Sequence, residues 1–138
     1  MCVAADIALY AAGRLSDLAL TWLRSLELSQ CRFIHCGDYD PVGLDEFLRL
    51  KTSVGDRASL YLPANLKDLI AKYGRHELLR DSEAILKRLR GTSDRAVLQV
   101  VSILDEVGCG LEQEALLIDP IHSRAVSPGL SLSTGGWM

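Results

Sequence analysis

The 138-residue sequence is poor in aromatics (6%), holds four prolines, and has no apolar run approaching the roughly 18 residues of a membrane span. A membrane-embedded role is therefore not expected. The N-terminus Met1-Cys2-Val3-Ala4-Ala5-Asp6 lacks the basic flank of a secretory signal, which leads to the expectation of a soluble, cytoplasmic protein. The four cysteines, Cys2, Cys31, Cys36 and Cys109, form no Cys-x-x-Cys pair and have no histidine at zinc-ligand spacing. They read as reduced, mostly buried small hydrophobes. The histidines, His35, His76 and His122, are scattered, and His35 lies inside an apolar run, as expected of a hydrogen-bonded structural residue. There is no general basic excess either: the net charge of -3 and pI near 5.6 exclude a broadly cationic nucleic-acid binder, though not a local basic face.

What is present is an ordinary globular composition, 49% hydrophobic and 24% charged, at a length that suits one core. Short apolar runs alternate with helical patterns, the sign of strand-helix-strand units and a mainly parallel sheet. The first run spans Asp6 to Ala12 and ends at Gly13. Ser16 then suits the N-cap of a helix whose apolar positions are Leu18, Trp22 and Leu26. A second run, Arg32 to Cys36, precedes Asp40-Pro41, an N-cap followed by proline at the first helical position, with Leu44, Phe47, Leu48 and Lys51 on one face. A third run, Ala58 to Leu62, stops at Pro63, and Asn65 opens a short helix closed by Gly74. The second half reads as two helices, about Glu77 to Arg90 and Asp94 to Val107, with a core of Leu78, Ile85, Leu86, Leu89, Val97, Val100, Val101 and Leu104. Residues 1–119 form the expected domain, and 120–138, rich in Ser, Gly and Pro, a disordered tail.

The sharpest chemical feature is Gly37-Asp38-Tyr39-Asp40-Pro41-Val42-Gly43-Leu44, directly after the second run. In a parallel sheet the ligand crevice lies beyond the carboxyl ends of the strands. Asp38 and Asp40, two apart, point to one side there and can share a hard cation such as Mg2+ in an open site completed by substrate phosphate. The plainer reading makes Asp40 an N-cap and Asp38 a turn residue. A calcium-binding loop beginning at Asp38 fails, because Arg49 occupies the position of its bidentate glutamate. A haloacid-dehalogenase-like phosphatase would also place Asp-x-Asp after a strand. Its later acidic pair is not evident, Asp105-Glu106 being the weak candidate.

The Gly-Asp-x-Asp-x-x-Gly segment, together with Gly110-Leu111-Glu112-Gln113-Glu114-Ala115, resembles two stretches of the Toprim domain. It is similar to the A subunit of topoisomerase VI and, more closely, to the Toprim-like C-terminal domain of the Wadjet plasmid-defence proteins of the JetD family. The resemblance covers roughly Asp6 to Leu117 in element order. It implies a Rossmann-like α/β fold and an Mg2+- or Mn2+-dependent nuclease or topoisomerase-type reaction on DNA. Asp38 and Asp40 would be metal ligands, Glu114 a catalytic acid or base, and Glu112 a support to the site. It further implies protein partners in a DNA-processing or defence complex, and allows a homodimer. The family's first-strand glutamate has no counterpart in Asp6 to Ala12, so the domain is expected to lack its first strand or that residue, and a catalytically inactive docking module is the alternative. Glu112 and Glu114 also read as acids favoured at a helix start. In the basic span from Lys67 to Arg95, Arg80, Lys87, Arg88 and Arg90 are the candidate DNA-phosphate contacts, against the alternative of a solvated, ion-paired helix face.

Overall fold

In a computed structural model, residues 9–11 and 13–118 are described. They form an α/β arrangement dominated by helices: α1 (Asp17–Leu23), β1 (Phe33–His35), α2 (Pro41–Val54), β2 (Ala58–Leu60), α3 (Leu66–Tyr73), α4 (Glu77–Arg80), α5 (Glu83–Leu89), α6 (Arg95–Val107) and α7 (Ala115–Ile118). β1 and β2 pair in parallel, Phe33 opposite Ala58 and His35 opposite Leu60, with α2 as the crossover. No helix among the described residues is long and apolar enough to cross a membrane.

Local signals place most boundaries. Asp40 caps α2, its Oδ1 accepting from the Gly43 amide at 2.7 Å, and Pro41 follows at a position where its missing amide has no partner to lose. Asp94 caps α6 through the Val97 amide at 3.0 Å, and Gly108 closes it in the left-handed region at φ 77°. The core gathers Leu44, Phe47 and Leu50 of α2, Leu69 and Ile70 of α3, Leu86 and Leu89 of α5, and Val97, Val100, Val101 and Leu104 of α6.

Asp94 also pairs with Lys51 of α2 at 2.6 Å. Burial alone would raise its pKa, but Lys51 and the Val97 amide together hold it below the usual carboxylate range. Asp94→Ala is expected to lower unfolding free energy by about 1–2 kcal/mol in urea at neutral pH. A carboxylate whose pKa falls on folding stabilises above its unfolded pKa, so the difference from wild type should shrink as pH falls through the folded value.

Several expectations are corrected. Leu9 to Ala11 are not in a strand, and the rest of the Asp6–Ala12 run, residues 6–8 and 12, lies outside the described residues, as does the expected tail from 120. α1 does not bury Leu18, Trp22 and Leu26, which are 80%, 48% and 90% exposed; Leu20 and Leu23 are buried instead. Its rotation is set by Glu46 of α2, whose Oε1 accepts from the Leu15 amide at 2.7 Å just before the helix. The single helix from Glu77 to Arg90 is broken at Asp81-Ser82, where Ser82 leaves the helical region (φ -129°, ψ 28°), and Leu78 and Ile85 are half-buried rather than fully so. Polar side chains that compete for local backbone groups favour such breaks. Among the described cysteines only Cys109 is buried; Cys31 and Cys36 are exposed, and all three are free thiols. Cys2 and His122 lie outside the described residues.

Candidate functional site: an acidic corner where two segments meet

β1 runs out at His35, and the chain turns through Gly37 and Asp38 into α2. Two glycines make this turn tight. A Cβ on Gly37 would lie 2.5 Å from the His35 ring, and one on Gly43 would collide with the Asp38 carbonyl oxygen. Between the aspartates, Tyr39 is fully buried, and its hydroxyl donates to the Tyr61 carbonyl at 2.8 Å. Burial pushes that phenol pKa well up. Tyr39 is thus a packing residue that holds the loop over β2. Tyr10, within the first apolar run, is 86% exposed.

The second segment arrives from α6. After Gly108, Gly110 exchanges backbone hydrogen bonds with Arg75, and Leu111 exchanges them with Tyr39, at 2.8 and 3.0 Å. Gly110 is required by this approach, since a Cβ there would stand 2.9 Å from Leu78 and 3.0 Å from Asp40. The Gln113 amide then donates to Asp38 Oδ1 at 2.8 Å. The two stretches singled out in the sequence are therefore in direct contact.

The corner is electrostatically loaded. Burial raises the Asp38 pKa, the Gln113 amide opposes it, and Glu114 and Glu112 add like-charge repulsion. Burial also raises that of Asp40, against the Gly43 amide, with Asp38 and Glu112 adding to the rise. Among the described residues a cation answers this charge: Arg75 Nη1 lies 3.1 Å from Glu112 Oε1. Glu112 and Glu114 themselves are exposed. Their position just before α7 agrees with the helix-start reading as well.

A divalent ion implied by the resemblance can be tested against these donors. Asp38 has one oxygen bound to Gln113 and a second that takes no hydrogen bond from the described residues. Asp40 is only 6% exposed and is engaged in capping α2. Among the described residues no group of three or more His, Cys, Asp or Glu side chains is placed to hold a metal. The donor set fits an open, hydrated Mg2+ site of one or two carboxylates and does not fit a closed cage.

Sequence reasoning missed three neighbours. Arg75 was only one of many cations in the basic span, and its role follows from the Gly110 pairing. Gln113 acts through its backbone, which no residue type announces. His35 is not the hydrogen-bonded residue expected: its ring packs on Phe47 at 5.8 Å, its Nδ1 is buried without a partner among the described residues, and burial lowers its pKa against Glu46 and Asp38.

The candidate DNA contacts lie on α4, on α5 and, for Arg90, just after α5, and most are engaged. Arg88 pairs with Asp45 at 2.6 Å, Arg90 grips Asp105 at 2.7 and 3.0 Å, and Arg80 stands 3.5 Å from Asp81. Lys87 is exposed and makes no ion pair among the described residues. Asp105 and Glu106, the acidic pair a phosphatase reading would need, are each engaged by a cation, Arg90 and Lys67 respectively. His76 and Cys109, unrelated in sequence, meet at 3.4 Å. Comparison with protein-family models, curated proteins and solved structures finds no match.

Proposed function

We propose that this chain is a Toprim-like, Rossmann-type domain of a cytoplasmic prokaryotic DNA-processing or defence protein, acting on DNA with Mg2+ or Mn2+ held by Asp38 and Asp40. What supports this is the contact between the Gly37–Leu44 loop and the Gly110–Ala115 segment, made through the Tyr39–Leu111 pairing and the Gln113–Asp38 hydrogen bond. Such a cation, when bound, supplies positive charge where a phosphate accumulates negative charge.

The chain's own residues have separable tasks. The Gln113 backbone amide fixes one Asp38 oxygen and leaves the other without a hydrogen bond from the described residues. Capping of α2 locks the Asp40 rotamer. Glu114, exposed and near enough to repel Asp38, takes the catalytic role that the resemblance implies, and Arg75 restrains Glu112. Tyr39, buried and hydrogen-bonded, is not a nucleophile.

Supercoiled plasmid incubated with Mn2+ or Mg2+ is expected to be nicked by the wild-type chain and about 100-fold more slowly by Asp38→Asn, which keeps the Gln113 hydrogen bond but removes the charge. Equal nicking by both proteins would refute the assignment. A second reading, a docking module that binds DNA or a partner without cleaving, is favoured by the capping engagement of Asp40. Plasmid retention without nicking, unchanged in Asp38→Asn and weakened by Lys87→Ala, would select it.

A further inference from the structure

β1 has a neighbour on one side only among the described residues. Phe33 and His35 turn their peptide groups to β2, as the bond from the Tyr61 amide to the His35 carbonyl at 3.0 Å shows, so Ile34 turns its N–H and C=O the other way. No described residue bonds them. Instead a cavity of about 350 Å³ runs along this edge, bounded on one side by the continuous stretch Arg32 to Asp38 and on the other by Leu9, Tyr10 and Leu15. Much of its lining is apolar, with Leu9, Tyr10, Ile34 and Val42 exposed at 60%, 86%, 50% and 40%, although Arg14, Arg32, Asp38 and Glu46 line it too. An open edge strand beside an apolar groove is built to take another strand.

We propose that this edge is a strand-docking groove and that its occupant is the chain's own segment Met1–Ala8. Three observations converge on that occupant. The segment is joined directly to Leu9, which forms the groove wall. Seven of its eight residues are apolar, the exception being Asp6, and eight extended residues reach about 26 Å, ample for the three residues of β1. The third observation is handedness. α2 is the crossover from β1 to β2, and strand-helix-strand crossovers in one sheet share a right hand. A parallel strand on the free edge of β1, connected onward through α1, requires α1 on the same sheet face as α2. α1 does pack against α2, and Glu46 ties them together. The intervening residues, 9–32, exceed the dozen that a parallel crossover needs.

Amide hydrogen exchange by NMR on the full chain tests this independently of any metal or DNA. The Ile34 amide is expected to exchange at least about tenfold more slowly than exposed loop amides such as that of Ser93. Ala4→Pro and Ala5→Pro remove adjacent amides, one of which must face β1, so at least one variant should lose that protection while the Val100 and Val101 amides of α6 stay protected. Fast exchange at Ile34 in the wild type would overturn the proposal, as would protection that survives both prolines. Protection that rises with protein concentration alongside a dimer in sedimentation would also overturn it, since the occupant would then be a second copy.

Discussion

Gly43→Ala is expected to destabilise the chain by about 2–3 kcal/mol, although alanine at an interior helical position ordinarily stabilises by about 1 kcal/mol over glycine. The sign reverses because the new methyl would meet the Asp38 carbonyl oxygen, a backbone atom that cannot swing aside. To relieve the clash the loop must move, and the Asp40 cap, the Tyr39–Leu111 pairing and the Gln113–Asp38 bond are all anchored in it. Gly91→Ala is the control. Its Cβ would stand at an ordinary 3.5 Å from the Arg88 carbonyl, so urea unfolding should show a change near zero. A neutral Gly43→Ala would mean that the loop is not packed against the start of α2.

Glu46→Ala should cost about 2–3 kcal/mol in the same measurement, an unusually large effect for a charged residue in an amphipathic helix. Its carboxylate, 7% exposed, receives Arg14 Nε at 3.0 Å, Arg49 Nη1 at 3.0 Å and the Leu15 amide at 2.7 Å. Removing it leaves the half-buried Leu15 amide without this acceptor and loosens the tie between α1 and α2. Glu46→Gln keeps the acceptor for Leu15 and should recover part of the loss. Equal losses in both variants would show that charge, rather than the anchoring of Leu15, carries the effect.

Elements fixed by contacts within a few residues were legible in the sequence. Asp40-Pro41, Ser16, Asp94 and Gly108 each act on the turn beside them, so α2, the start of α1 and both ends of α6 could be read directly. The parallel pair of strands followed from apolar runs closed by Gly37 and Pro63. What failed depended on distant partners. α1 is apolar nearly all round, so its buried face was undetermined until Glu46 seized Leu15. The burial of Glu46 itself was invisible, because an acid in Asp45-Glu46 looks like any other outward residue of α2.

The acidic corner was half legible. Asp38 and Asp40 could be named from their spacing, and Glu112 and Glu114 from the second stretch. Their meeting depends on Gly110 approaching so closely, between Arg75 and Tyr39, that a Cβ there would stand 3.0 Å from Asp40, and no local rule states that. The basic span was open to two readings, and the pairs Arg88–Asp45 and Arg90–Asp105 favour the ion-paired face for those two arginines. Arg80 and Lys87 remain more open to solvent and to phosphate.

The central claim is that the corner formed by Asp38 and its neighbours is a cation site rather than a capped loop, and calorimetric titration with Mg2+ and Mn2+ tests it most directly. Both aspartates have raised pKa values, so binding should weaken as pH falls through those raised values, where protons displace the cation, above the ordinary carboxylate range. Raised pKa values also mean that the folded state takes up these protons more readily than the unfolded one, so this stabilising effect is largest in acid and lost as pH rises. Wild-type chain is expected to bind near neutral pH and Asp38→Asn is not, while Asp38→Asn should be at least as stable as wild type there, having lost the repulsion from Glu112 and Glu114. Identical titrations of the two proteins, or binding by neither, would contradict the account.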